Sequence, residues 1–138
     1  MDDAITHYCA ASAADDIDGL MATLAPDAEL VSPLSGHLVF RGHDDLRILL
    51  SAVYGSLTGL RWSEPIGDAG STRVAVSGAR LGGIRIDDAM VFELDGGGLI
   101  RRIRPHLRPW LATTVFALLL GPKIARHPGV ILRALRAT

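Results

Sequence analysis

Apolar residues recur at helical spacing twice within the first twenty-four positions. Ile5, Tyr8, Cys9 and Ser12 fall on one side of a helix over 3–13. Ile17, Leu20, Met21 and Leu24 repeat at i, i+3, i+4 and i+7, which predicts a second, short helix over 16–24. Asp15, Asp16 and Asp18 stand at its start, where the positive end of a helix dipole favours acids, and Pro26 ends it. A short strand is expected at 28–32, then a loop over 33–42 punctuated by Pro33, Ser35, Gly36 and Gly42. A third helix, over 44–54, would bury Leu46, Leu49, Leu50 and Val53.

From residue 60 the period shortens to two. Runs over 60–66 and 72–81 are separated by Gly67-Asp68-Ala69-Gly70, and runs over 84–94 and 99–107 by Asp95-Gly96-Gly97-Gly98, a strong hairpin signal. Helices first and a strand meander afterwards imply an α+β fold, three helices packed on a mostly antiparallel sheet, rather than parallel α/β. Residues 109–138 break at Gly121-Pro122 and at His127-Pro128-Gly129, and read as two short helices over 110–120 and 129–136. This tail is an extension of the domain formed by residues 1–108.

A length of 138 residues fits one domain, and 49% apolar against 21% charged residues is enough to build a core. Cys9 is the single cysteine, which excludes an internal disulfide and leads us to expect a reducing, cytoplasmic setting. On an apolar helix face it reads as a buried thiol. The opening Met1-Asp2-Asp3 lacks the basic and apolar regions of a secretory leader. The greasiest run, 110–120, falls short of the roughly 20 residues of a membrane span. Neither metal-ligand spacing nor a phosphate-binding glycine loop is present, so no metal and no organic cofactor are expected.

The net charge of −1 conceals an asymmetry. Residues 1–98 hold all fifteen acids against six Arg, whereas residues 99–138 hold eight Lys or Arg and no acid. Three placements answer it: a lid over the body of the same chain, a swapped contact in a dimer, or an anionic membrane surface touched peripherally. Nucleic acid is not an expected partner, because the basic residues lack interleaved aromatics and the body is acidic.

The stretch His7-Tyr8-Cys9-Ala10-Ala11 through Asp15-Asp16-Ile17-Asp18-Gly19-Leu20, then Leu24-Ala25-Pro26-Asp27-Ala28-Glu29-Leu30 with Ser32-Pro33, resembles the opening of a ketosteroid isomerase. Phe40-Arg41-Gly42-His43-Asp44-Asp45-Leu46 resembles the loop-to-helix entry of the nuclear transport factor 2-like superfamily, which also holds the SnoaL-like polyketide cyclases. Over residues 4–108 the resemblance implies a cone with a curved sheet around an apolar pocket, and a homodimer joined through the outer sheet face. Tyr8 matches the tyrosine that donates to a dienolate oxygen. Ser32 stands where the isomerases carry their base aspartate, and Met90 where they carry a protonated aspartate, so ordinary ketosteroid isomerase activity is not expected. Beyond Arg108 the chain departs from the pattern, and its extra tail reads as a feature of its own.

Asp88 is the most informative position. Alternation puts Ile84, Ile86, Asp88, Met90, Phe92 and Leu94 on one face, which the resemblance turns toward the pocket. A carboxyl among apolar neighbours is desolvated, which raises its pKa into the range of a general acid or base. Two alternatives stand beside this reading: local hydrogen bonds satisfying Asp88, or a register shifted by one that points Asp87 inward. Tyr8 is either an oxygen-stabilising donor or a packed core tyrosine. Ile86, Met90, Phe92, Ser32 and Trp62 are candidate substrate contacts, with Trp110 closing the base of the pocket.

Arg101, Arg102, Arg104, His106 and Arg108 form a basic strand. Pairing Leu94 with Leu99 would set Asp87 opposite His106 and Glu93 diagonal to Arg102, an ion-pair lattice on the outer face. The competing reading sends Arg101 or His106 into the pocket to hold an anionic or carbonyl oxygen. The functional expectation is cofactor-free acid–base catalysis on a small apolar molecule of polyketide, terpene or steroid-like type. Non-catalytic ligand binding, and an interaction or membrane-peripheral role through the tail, are the rivals.

Overall fold

Asp3 opens the first helix by accepting the Thr6 N–H at 2.9 Å, which caps α1 (Ala4–Ala13). Asp16 does the same for α2 (Ile17–Met21) through the Gly19 N–H at 3.0 Å. These elements come from a computed structural model that describes residues 3–67 and 72–136. The second helix stops at Met21, and Leu24 begins the strand β1 (Leu24–Val31) instead of ending the helix. The reason is local: the Thr23 hydroxyl donates to the Leu20 carbonyl at 2.7 Å, while the Thr23 carbonyl takes the Ile100 N–H from the sheet. Pro26 falls where the pairing register shifts between Leu24 and Glu29, a position that asks no N–H of it.

The expected loop over 33–42 ends in a short strand, β2 (Val39–Arg41), antiparallel to β1 with Leu30 opposite Phe40. Three residues are too few for alternation to reveal. Gly42, at a φ of 85° that suits glycine, then turns the chain into α3 (His43–Gly55). The strands β3 (Thr58–Trp62), β4 (Thr72–Leu81), β5 (Ile84–Leu94), β6 (Ile100–Arg104) and β7 (Leu107–Arg108) complete a curved sheet ordered β2-β1-β6-β5-β4-β3, with β7 paired to β5. It is mixed, because β1 runs parallel to β6. The turn predicted at 67–70 lies, beyond Gly67, outside the described residues.

The β5–β6 register corrects the expected lattice. Leu94 pairs with Ile100 and Glu93 with Arg102, so Arg101 is an extra residue bulged out of the ladder. The bulge gathers Arg101 at 3.0 Å, Arg102 at 3.8 Å and Arg104 at 3.9 Å around the one Glu93 carboxylate. Pro105 and His106 separate β6 from β7, and Asp87 stands opposite Arg108, not His106.

The core fills the inner face of the sheet: Ala75, Met90, Phe92, Ile100 and Ile103 pack on Ile5, Tyr8, Leu20, Leu46 and Leu50. The tail folds back on this body. Its first helix, α4 (Trp110–Ala125), runs through Gly121-Pro122 instead of stopping there. Pro122 lies on the exposed side, where water can take the carbonyl it leaves unbonded. The last helix, α5 (Pro128–Arg136), is pinned by Arg133, which donates to both oxygens of the buried Asp45 at 2.9 and 2.8 Å. Folding back in this way is the lid placement expected for the tail.

Candidate functional site

Between sheet, α3 and tail lies a cavity of about 230 Å³. Its walls come from every layer: Leu30 and Met90 from the sheet, Leu50 and Val53 from α3, Phe116 and Leu120 from α4. In this greasy surround the side chains able to form strong hydrogen bonds are Ser32, Tyr54, Ser77 and Asp88.

Asp88 is half-buried and its carboxyl faces the cavity, while Asp87 turns outward to Arg85 at 3.4 Å and Arg108 at 3.7 Å. One oxygen of Asp88 accepts the backbone N–H of His106 at 3.0 Å. Burial pushes its pKa up from 3.8 to about 7, against the smaller opposing effects of that N–H and of the His106 side chain. Ser77, buried on β4, is its direct cross-strand partner, which brings a hydroxyl beside the carboxyl.

Tyr54 is the residue that sequence reasoning missed. It extends the Leu46, Leu50 series by one more helical turn, so the periodicity of α3 already held the signal. Its hydroxyl lies 2.7 Å from that of Tyr8. Desolvation drives both phenols above their ordinary range, and the Asp88 charge adds to it, so both stay protonated. When Tyr8 donates to Tyr54, the Tyr54 hydrogen is left for an oxygen in the cavity.

Tyr8 itself does not line the cavity: it is wholly buried behind Tyr54 and corrects the reading of a direct donor. Phe92 and Trp62 also sit behind the wall, edge-on to Tyr8 with centroids at 5.2 and 6.2 Å, and Trp62 donates to the Ser12 hydroxyl at 2.9 Å. They are core, not substrate contacts. Arg101 faces outward to Glu93, and the His106 ring is exposed, so neither reaches the cavity. Trp110 is 78% exposed and closes nothing. Ser32, Ile86 and Met90 do line the cavity, although the Ser32 hydroxyl is engaged in accepting the Leu34 N–H at 3.1 Å. Burial pushes the Cys9 thiol up to about 12, as suits an inert core group.

The tyrosine pair makes an asymmetric prediction. Tyr54→Phe strands the fully buried Tyr8 hydroxyl and should cost about 1–3 kcal/mol, whereas Tyr8→Phe leaves Tyr54 facing the cavity and should cost about 1 kcal/mol. Urea denaturation of the two variants checks the order.

Residues 5–103 match the model of the SnoaL-like domain. The chain belongs to that family. Among solved structures, this SnoaL-like chain is similar to an uncharacterized bacterial protein with a cystatin-like fold from Silicibacter pomeroyi, at 18% identity and a TM-score of 0.85 over 95% of this chain and 93% of the other. It is also similar to a steroid delta-isomerase from Pseudomonas aeruginosa, at 21% identity and a TM-score of 0.79 over 91% and 92% of the two chains. A de novo designed protein with a curved β-sheet matches at 14% identity and a TM-score of 0.68, over 86% and 92%. At these identities the likeness establishes the nuclear transport factor 2-like fold alone. No curated protein matches the chain. Coverage of 95% takes in most of residues 109–138, so the tail has counterparts and is not a feature peculiar to this SnoaL-like chain.

Proposed function

We propose that this SnoaL-like domain performs cofactor-free acid–base chemistry on a small apolar molecule carrying one oxygen function. The observation that carries the reading is the placement of Asp88, a half-buried carboxyl on the wall of an apolar cavity, where burial raises its pKa to about 7. Such a group is populated in both protonation states at neutral pH, so it can take a proton from carbon as the carboxylate and return it as the acid. Tyr54, kept protonated, would donate to the oxygen on which charge develops. Isomerisation, cyclisation, dehydration and epoxide opening of polyketide, terpene or steroid-like rings can each be served by an acid–base carboxyl and an oxygen-directed donor in an apolar hollow.

Carboxyl-carbon NMR of the labelled protein tests the central claim. The Asp88 resonance should titrate with a midpoint near 7. A midpoint near the ordinary aspartate value of about 3.9 would overturn the proposal and leave a ligand-binding cavity.

A further inference from the structure

The outward side of α4 is unlike the surface of an ordinary helix. Trp110, Leu111 and Leu118 are 78, 53 and 69% exposed, and Leu119 is nearly half exposed. Lys123 is the first and only charge in the whole of α4. After a bend of 108°, α5 exposes a further large apolar side chain, Leu132. A run of large exposed apolar side chains of this kind marks a surface that is covered in use.

The charges around it say by what. Arg126 and Arg136 are exposed and join no ion pair among the described residues, and residues 99–138 contain no acid at all. A two-fold contact between two copies of this face would set these cations against their own images with no acid from the segment to offset them. An anionic bilayer surface satisfies both features at once, taking the apolar side chains below its headgroups and the cations among its phosphates. No single helix among the described residues is long and apolar enough to span a membrane; α4 and α5 reach that length and apolarity only together, across their bend. Their inner sides, with Phe116, Ile124 and Val130, are buried on the body, so the fit is to a surface.

We propose that the outer face of α4 and α5 docks peripherally on anionic lipid bilayers. The inner face of the same helix, through Phe116 and Leu120, walls the cavity, so docking places the hollow directly beneath a lipid surface. The proposal stands apart from the catalytic reading, because it is tested without any reaction.

The full chain is sedimented with vesicles of phosphatidylcholine alone and with vesicles containing phosphatidylglycerol. It should be recovered with the anionic vesicles, and Leu111→Glu with Leu118→Glu, neither of which lines the cavity, should weaken binding by more than about tenfold. Arg126→Gln should weaken it about fivefold, and more at low salt than at high. Circular dichroism and melting curves establish that the variants are folded. Equal recovery of folded wild type and double variant, or a dimer of the free protein that the double variant splits into monomers, would overturn the proposal.

Discussion

Asp88→Asn is expected to lower the rate of proton transfer in the cavity by about 10²–10⁴-fold. A suitable probe is 3-cyclohexenone, a small apolar ring with one carbonyl, whose conversion to the conjugated isomer is followed by ultraviolet absorbance. Asparagine keeps the shape of the side chain and an oxygen to accept the His106 N–H, so the fold is retained while the proton acceptor is removed. In the wild type, the rate at low substrate should rise with pH through a midpoint near 7, because the ionised carboxyl abstracts the proton. The same group leaves a signature in stability. Its folded pKa lies above its unfolded value of 3.8, so the folded state binds the extra proton between pH 4 and 7, and stability falls as pH rises through that window. Asp88→Asn should abolish that decline. A wild-type rate no better than that of free acetate, or an unchanged rate in the variant, would remove Asp88 from the chemistry.

Phe92→Ala is expected to cost about 3–5 kcal/mol in a urea titration. Phe92 has no exposed surface, and it packs edge-on against Tyr8 and 6.4 Å from Trp62, so truncation opens a void in a filled region. Met90, two positions away on the same strand face, borders the cavity that already exists. Its truncation enlarges that space and should cost less, about 2 kcal/mol. A Phe92→Ala cost under about 1 kcal/mol would show that the ring belongs to the ligand space and not to the core.

The contrast between these neighbours shows what sequence carries and where it stops. Alternation along 84–94 placed Ile86, Asp88, Met90 and Phe92 on one side of β5, and the structure has them there. It could not tell that the hollow ends between Met90 and Phe92, since that depends on where Tyr8 and Trp62 arrive from elsewhere in the chain. Tyr54 was legible in the spacing of α3 but stood at its last turn, where helical ends are hard to assign. Arg101 could not be placed, because one bulged residue reverses the facing of everything before it. Leu24 satisfied a helical repeat that the sheet, through the Thr23 carbonyl, overruled. Gly121-Pro122 carried a stop signal that an exposed helix face made harmless.

The support beneath Asp88 comes from the main chain at position 106, where the strand pairing lapses between β6 and β7. A peptide donor is blind to side-chain identity, so any residue except proline preserves the aim of the acid. Variation along the greasy walls can therefore reshape what the hollow accepts without redirecting the group that acts on it. A scaffold of that sort separates the evolution of ligand choice from the upkeep of reactivity.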